Sequence, residues 1–154
     1  MTQKNLGIMK DWNVLVVDDD PDSLEIASTM IEIQGANVVT AVNGEDALEK
    51  LKHMPRPHFI LSDLSMPTMD GWEFIQVLKR DRTTLDIPVI ALTAHAMEGD
   101  RIKAMAAGFH NHITKPLTPS TFISHLVVLL TDSENLANLL KNIPEEWRDN
   151  PETE

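Results

Sequence analysis

The amino-acid sequence predicts an α/β protein, with a doubly wound, five-stranded parallel sheet, five helices and a short C-terminal helical extension. Five short apolar segments alternate along the chain with five segments of helical periodicity. Parallel strands need right-handed crossover connections, so all five strands are expected to end at the same edge of the sheet. The length of 154 residues suits one domain with a full hydrophobic core.

Composition excludes several classes of protein. The chain has no cysteine, which rules out disulfides, thiolate zinc sites and cysteine catalysis. The formal net charge is −11 and the 13 lysines and arginines are scattered, so no nucleic-acid binding is expected. The acidic excess suits a protein that meets other proteins or binds divalent cations. No signal peptide or membrane-spanning segment stands out, so we expect a cytoplasmic protein that makes no contact with a membrane.

The first strand and helix are defined by a valine-rich run and the turn residues after it. Asn13–Val17 has no polar alternation, which is typical of a buried strand, and three aspartates follow it. A helix comes next, with Asp20 as its cap, Pro21 in its first turn and Gly35 as its stop.

The second and third strands are each followed by a helix. Asn37–Ala41 leads through an Asn-Gly turn into the helix Glu45–His53, which ends at a Pro-Arg-Pro segment. Pro57–Ser62 is a short apolar strand that ends at Asp63. A loop with a Met-Pro pair and an Asp-Gly turn then leads into the helix Gly71–Arg80.

The fourth and fifth strands also end in polar residues. Ile87–Leu92 is followed by Thr93, and the next helix is expected at Glu98–Ala107. The fifth strand, Phe109–Thr114, is less apolar and is followed by Lys115.

The C-terminal part of the chain is expected to be helical and then frayed. Thr118 is expected to cap the fifth helix, and Pro119 to be its first residue. A short sixth helix is expected at Ser133–Asn142, followed by a polar, frayed tail over 144–154. The predicted division is a flexible leader at 1–11, a central domain at 12–131 and a C-terminal extension at 132–154.

Polar side chains stand at the predicted ends of four strands. They are Asp18, Asp19, Asp63, Thr93 and Lys115. Open α/β sheets bind ligands at the carboxyl ends of their strands, so these side chains are expected to share one crevice. Because a strand-end aspartate is also a common cap or turn former, Asp63 alone leaves both interpretations open.

Four motifs give the chain a family resemblance. They are Val-Val-Asp-Asp at 16–19, Ser-Asp-Leu-Ser-Met-Pro-Thr-Met-Asp-Gly at 62–71, Ala-Leu-Thr-Ala at 91–94 and Lys-Pro at 115–116. Residues 12–130, with all four motifs in order, resemble the receiver domain of two-component response regulators. The resemblance implies a flavodoxin-like fold with the strand order 2-1-3-4-5.

The resemblance also implies the roles of the site residues. Asp63 is expected to accept a phosphoryl group as a carboxylate nucleophile. Mg²⁺, for which Mn²⁺ can substitute, is expected on Asp19, Asp63 and the backbone carbonyl of Ser65, with Asp18 acting through a bound water. Lys115 is expected to contact a phosphoryl oxygen, and to pair with Asp63 when no phosphate is present.

A switch is also implied near the fourth and fifth strands. Thr93 is expected to donate its hydroxyl to the phosphoryl group and to move inward. The family has Tyr or Phe where this chain has His112, so we hypothesise weaker or pH-sensitive switching there. His95 is expected to be exposed beside the site, and the Lys115–Pro116 bond to be cis.

These features predict a single-domain response regulator that takes a phosphoryl group from a histidine kinase or a histidine phosphotransfer protein. It then binds a downstream target protein, as a monomer or weak dimer, and catalyses only its own phosphorylation and dephosphorylation. A receiver cut from a hybrid histidine kinase, a phosphorelay intermediate and a degenerate docking module are alternatives. A haloacid-dehalogenase-like phosphatase also uses a strand-end aspartate with Mg²⁺, but it needs a second aspartate where this chain has Ser65.

Overall fold

The computed structural model describes residues 5–94 and 98–148. The strands are β1 (Asn13–Val17), β2 (Asn37–Ala41), β3 (Phe59–Asp63), β4 (Val89–Thr93) and β5 (Asn111–Thr114). They pair in parallel in one sheet with the order β2-β1-β3-β4-β5. The predicted α/β class and the strand order implied by the resemblance are therefore confirmed.

The helices lie on both faces of the sheet. They are α1 (Pro21–Ile33), α2 (Gly44–His53), α3 (Gly71–Arg80), α4 (Glu98–Ala107), α5 (Pro119–Leu130), α6 (Glu134–Leu139) and α7 (Glu145–Arg148). Successive side chains of β1 join different hydrophobic clusters: Val14 and Val16 pack with α1 and α5, and Leu15 and Val17 with α2 and α3. No helix in the described part of the chain has the length and apolar character to cross a membrane.

Short polar side chains cap four of these helices, and Ser133 does so for α6 by accepting from the Leu136 N–H. Asp20, Asn43 and Asp70 each accept a hydrogen bond from a backbone N–H in the first turn of the following helix. The prediction that Thr118 caps α5 is wrong, because its side chain makes no capping hydrogen bond. Pro119 presets the backbone of the first residue of α5, so the helix begins there without that bond.

Three strands begin later than the sequence predicts, two of them because of a proline. β3 starts at Phe59 rather than Pro57, and β4 starts at Val89 rather than Ile87. The nitrogen of a proline carries no hydrogen to donate to the ladder. Pro57 and Pro88 therefore stand before the paired residues.

Two further boundaries differ by one or two residues. β5 starts at Asn111 rather than Phe109. The Phe109 N–H donates to the Ala104 carbonyl at 3.1 Å and so closes the end of α4 instead of pairing with β4. α2 starts at Gly44, directly after its cap, rather than at Glu45.

The prediction of a flexible leader at 1–11 is wrong for residues 5–11, which the structure describes. Ile8 and Met9 are fully buried in the cluster that also holds α1 and α5. The Met9 N–H donates to the Gln34 carbonyl, and the Lys141 N–H donates to the Ile8 carbonyl, both at 3.1 Å. Residues 5–11 are therefore packed into the domain, which sequence patterning missed because so short an apolar pair shows no period.

The C-terminal extension is also part of the core. The sixth helix, predicted at Ser133–Asn142, is only Glu134–Leu139, since Leu140 takes an extended backbone conformation with φ −70° and ψ 138°. Leu140 is buried, and Trp147 of α7 packs against the same cluster, in a stretch predicted to be frayed. Residues 149–154 of the predicted tail lie outside the described residues.

The substitution Ile8→Ala tests the packing of the N-terminal segment. We expect it to lower the free energy of unfolding by about 2–4 kcal/mol, because it leaves a cavity in a fully buried place. Urea denaturation measures the change. Lys10→Ala is the control, since Lys10 is exposed two residues away, and it is expected to change stability by no more than about 0.5 kcal/mol. Equal effects of the two substitutions would contradict the packing described here.

Candidate functional site

The polar side chains predicted at the strand ends do meet at one edge of the sheet. Asp63 and Thr93 are the last residues of β3 and β4. Asp18 and Asp19 directly follow β1, and Lys115 directly follows β5. Because β1, β3, β4 and β5 are neighbours in this order, the five residues lie around one crevice at the carboxyl ends of the strands.

Three carboxylates form a cluster with the chemistry of a metal site. Asp18, Asp19 and Asp63 each offer one oxygen, and these oxygens lie within 4.8 Å of one another. Asp18 is fully buried and Asp63 is 6% exposed, whereas Asp19 faces solvent. Hard oxygen ligands of this kind suit Mg²⁺ or Mn²⁺, and the exposed carboxylate leaves the cluster open on one side. The donor set therefore fits a divalent cation.

Lys115 supplies a positive charge to this cluster. Its Nζ lies 2.7 Å from Asp18 Oδ2 and 3.3 Å from Asp63 Oδ2. The resemblance implied pairing with Asp63, and the structure adds a shorter contact with Asp18. Burial lowers the pKa of the Lys115 ammonium, but the bonds and charges of the two aspartates outweigh it and hold this pKa above its usual value. The Lys115–Pro116 peptide bond is cis.

The carboxylate of Asp63 resists ionisation. Burial, followed by the negative charge of Asp18, raises the pKa of Asp63 from 3.8 to about 6. The ammonium of Lys115 and the N–H of Ser65 act in the opposite direction and do not cancel this increase. A bound cation would reduce the repulsion between the carboxylates of Asp18 and Asp63, and would therefore favour the ionised form of Asp63.

The backbone of the loop after β3 fixes the position of Asp63. The Leu64 N–H donates to the Leu92 carbonyl at 3.2 Å, and the Gly71 N–H donates to the Leu64 carbonyl at 3.1 Å. The Ser65 N–H donates to Asp63 Oδ1 at 3.3 Å. Gly71 is packed so closely on the Asp63 carbonyl that a Cβ atom would have no room. The start of α3 is thus held directly against the end of β3.

A cavity of about 270 Å³ opens beside Asp63. Thr93 and Lys115 line it on the side of the sheet, and Trp72 and Lys103 line it on the side of α3 and α4. Neither Lys103 nor Trp72 belongs to any of the four sequence motifs. Their meeting depends on how two helices pack, and no local pattern in the sequence predicts it.

His112, the departure from the family pattern, lies half-buried in β5. Its buried Nδ1 has no hydrogen-bond partner among the described residues. Burial lowers the pKa of His112, and the charges of Arg101 and His125 lower it further, so the neutral ring is favoured. Its role as a switch stays a prediction, and His95 lies outside the described residues.

Comparisons with known proteins agree on one family. The response regulator receiver domain matches residues 14–127. The chain is 34% identical over 117 residues to the phosphate regulon transcriptional regulatory protein PhoB of Klebsiella pneumoniae, which covers 76% of this chain and 51% of that protein. The chain spans about half the length of several curated relatives that it matches.

Solved structures show the same likeness. The chemotaxis response regulator CheY4 of Vibrio cholerae matches with a TM-score of 0.72 and 29% identity, over 79% of this chain and 100% of that one. The signal receiver domain of a histidine kinase from Syntrophus aciditrophicus matches with a TM-score of 0.68 and 32% identity, over 80% of this chain and 92% of that one. Both comparisons support the fold described above.

The close approach of α3 to Asp63 can be tested with two alanine substitutions at equivalent helix positions. Gly71→Ala is expected to cost about 3 kcal/mol of stability, because the added methyl group meets the backbone of Asp63 and Leu64. Gly44→Ala, at the first residue of α2, meets only the flexible side chain of Met69 and should cost less than about 1 kcal/mol. Urea denaturation of both variants measures the difference, and equal costs would contradict the contact.

The raised pKa of Asp63 predicts a pH-dependent gain in stability from Asp63→Asn. The folded protein binds this proton more tightly than the unfolded chain, so the stability that protonated Asp63 contributes is present below about pH 4 and is lost as the pH rises through about 6. In EDTA at about pH 7.5, the asparagine variant should be more stable by roughly 1–3 kcal/mol, and the gain should shrink towards pH 4.

Urea denaturation in EDTA at several pH values measures this gain. Asp132→Asn serves as the control, since Asp132 is exposed and lies between α5 and α6. A variant that is no more stable than the native protein at neutral pH, or that gains most in acid, would show that the carboxylate is not destabilised by its surroundings.

Proposed function

Because the chain belongs to the family of response regulator receiver domains, we propose that Asp63 accepts a phosphoryl group from a phosphohistidine in a Mg²⁺-dependent reaction. Receiver domains are signalling domains that accept phosphoryl groups in two-component signalling. The observation that carries the assignment to Asp63 is the cluster of three carboxylates, two of which contact the Lys115 ammonium. The proposal extends to the consequence that the phosphorylated chain controls the binding of a target protein.

The metal would be held by the carboxylates of Asp19 and Asp63 and by the backbone carbonyl of Ser65. Asp18 is engaged with Lys115 at 2.7 Å, which supports a role through a bound water rather than as a direct ligand. When bound, Mg²⁺, or Mn²⁺ in its place, offsets the negative charge that gathers on the carboxylates and the phosphoryl oxygens.

The chemistry of the transfer follows from the state of Asp63. With a pKa of about 6, its carboxylate is mostly ionised at neutral pH and is available as a nucleophile. One carboxylate oxygen attacks the phosphorus, and the bond from phosphorus to the imidazole nitrogen of the donor breaks, with its electron pair staying on that nitrogen. Thr93 would donate its hydroxyl to a phosphoryl oxygen, and Lys115 would contact another. Water later hydrolyses the acyl phosphate, so the chain catalyses only reactions on itself.

The donor is proposed to be a histidine kinase or a histidine phosphotransfer protein. The likeness to a receiver domain of a Syntrophus histidine kinase favours a second candidate, a receiver that acts within a hybrid kinase or as a phosphorelay intermediate. The family match gives no support to the phosphatase alternative. Partner contacts through α4, β5 and α5, with Thr93 and His112 as the switch, and a monomeric or weakly dimeric state belong to the same proposal.

Two predictions about location and partners stay proposals. The net charge of −11 supports a chain that binds no nucleic acid, although several relatives are named as transcriptional regulators. A cytoplasmic location fits a receiver domain whose described helices do not span a membrane.

Phosphorylation by acetyl phosphate tests the proposal without a partner protein. In Mg²⁺ the native chain is expected to gain the mass of one phosphoryl group, because the carboxylate, hydroxyl and ammonium all lie in this one chain. Intact-mass spectrometry measures the gain. It should be lost in EDTA and in Asp63→Asn, and kept in Asp132→Asn. A folded, Mg²⁺-supplied native chain that never gains this mass would overturn the proposal, and a gain that persists in Asp63→Asn would place the phosphoryl group elsewhere.

A further inference from the structure

A second lysine, Lys103, lines the cavity beside Asp63 together with Lys115. The Nζ of Lys103, in α4, lies 5.1 Å from the centre of the Trp72 ring. Trp72, in α3, packs edge to face on Phe109, with the ring centres 5.9 Å apart and the planes at 87°. The indole ring is thus fixed from one side and carries the ammonium on its face, a cation–π contact that joins α3 to α4.

Lys103 and Trp72 line the same cavity as Asp63, Thr93 and Lys115. The carboxylate of Asp100, one turn earlier in α4, lines this cavity too. Within the described part of the chain, however, no ion pair involves Lys103, and its partner is the aromatic ring. The ammonium is exposed and is held only by a weak, uncharged partner.

We propose that Lys103 is a positioning residue for the phosphoryl group on Asp63, held on the Trp72 ring until that group is present. This inference rests on the proposed function. In the phosphorylated chain the ammonium leaves the ring and pairs with a phosphoryl oxygen. Phosphorylation therefore breaks the contact of Lys103 with Trp72, which joins α4 to α3. It forms instead a contact of Lys103 with the phosphoryl group on Asp63, which joins α4 to the end of β3.

Charge is the reason for the exchange. A phosphoryl group adds roughly 1.5 to 2 negative charges at neutral pH, beside the three carboxylates that already lie within 4.8 Å of one another. Lys115 is divided between Asp18 and Asp63. An oxygen anion attracts an ammonium more strongly than an aromatic face does, and the flexible stem of lysine lets its ammonium move without unfolding the helix.

Three variants test the proposal. Lys103→Gln removes the charge, Lys103→Arg keeps it, and Lys52→Gln removes another exposed helical lysine, from the last turn of α2. All three chains and the native chain are phosphorylated with acetyl phosphate and Mg²⁺, and intact-mass spectrometry follows the gain and loss of the phosphoryl group. The lifetime of the phosphorylated form is expected to fall about two- to fivefold in Lys103→Gln. It is expected to stay near the native value in Lys103→Arg and Lys52→Gln.

The indole signal of Trp72 provides a second readout that a purely structural role would not change. The chain has three tryptophans, so Trp72→Phe assigns the one indole N–H signal of interest in an NMR spectrum. Phosphorylation is expected to shift this signal in the native chain and in Lys103→Arg. In Lys103→Gln the shift should be much smaller, because no ammonium leaves the ring.

The outcomes separate this proposal from the previous one. Unchanged lifetimes and an unchanged Trp72 shift in Lys103→Gln, in a chain that gains phosphate normally, overturn the role of Lys103 and leave the role of Asp63 intact. Failure of Lys103→Arg to restore the native lifetime also overturns it. A native chain that gains no phosphate overturns both proposals.

Discussion

The buried pair of like charges formed by Asp18 and Asp63 is the interaction on which the rest of this structure depends. Two carboxylates that are 0% and 6% exposed repel each other and lose most of their hydration. Lys115 reduces the repulsion from one side, at 2.7 Å and 3.3 Å, and yet the pKa of Asp63 remains raised to about 6. The site is therefore short of positive charge, and this deficit is what a divalent cation and a mobile ammonium would each relieve.

Strand pairing, the packing of α3 and the hydrophobic core together keep the two carboxylates close to each other. β1 and β3 are hydrogen-bonded neighbours, so the backbone segments that carry the two carboxylates cannot separate without disrupting the ladder. Gly71 presses the start of α3 against the Asp63 carbonyl, and the two hydrophobic clusters hold both faces of the sheet. Burial of the core thus offsets the electrostatic cost at the edge, as expected where strain is kept at a functional site.

Local chemistry predicted most of the fold and the positions of the site residues. Apolar runs predicted the strands, and the polar residues at the ends of four of them predicted the crevice, because parallel strands all end at one edge. Of the two residues predicted as helix caps, Asp20 caps α1, whereas the Thr118 side chain makes no capping hydrogen bond. The burial of Ile8, the docking of Trp147, the Lys115–Asp18 contact and the placing of Lys103 on Trp72 depend on which distant segments meet. Single-sequence patterns carry no information on such contacts.

The two terminal segments pack on the domain away from the site. The Asn142 side chain donates to the Leu6 carbonyl, and Leu136 lines a cavity with Pro57 and Pro88, which precede β3 and β4. The described residues of both terminal segments therefore pack where strands begin, at the end of the sheet opposite to the carboxylates. Their burial adds stability to the core without covering the crevice. The ammonium of Lys103 lies on an aromatic ring and has no ion pair among the described residues. It can therefore turn towards negative charge added in the crevice at a small cost in free energy.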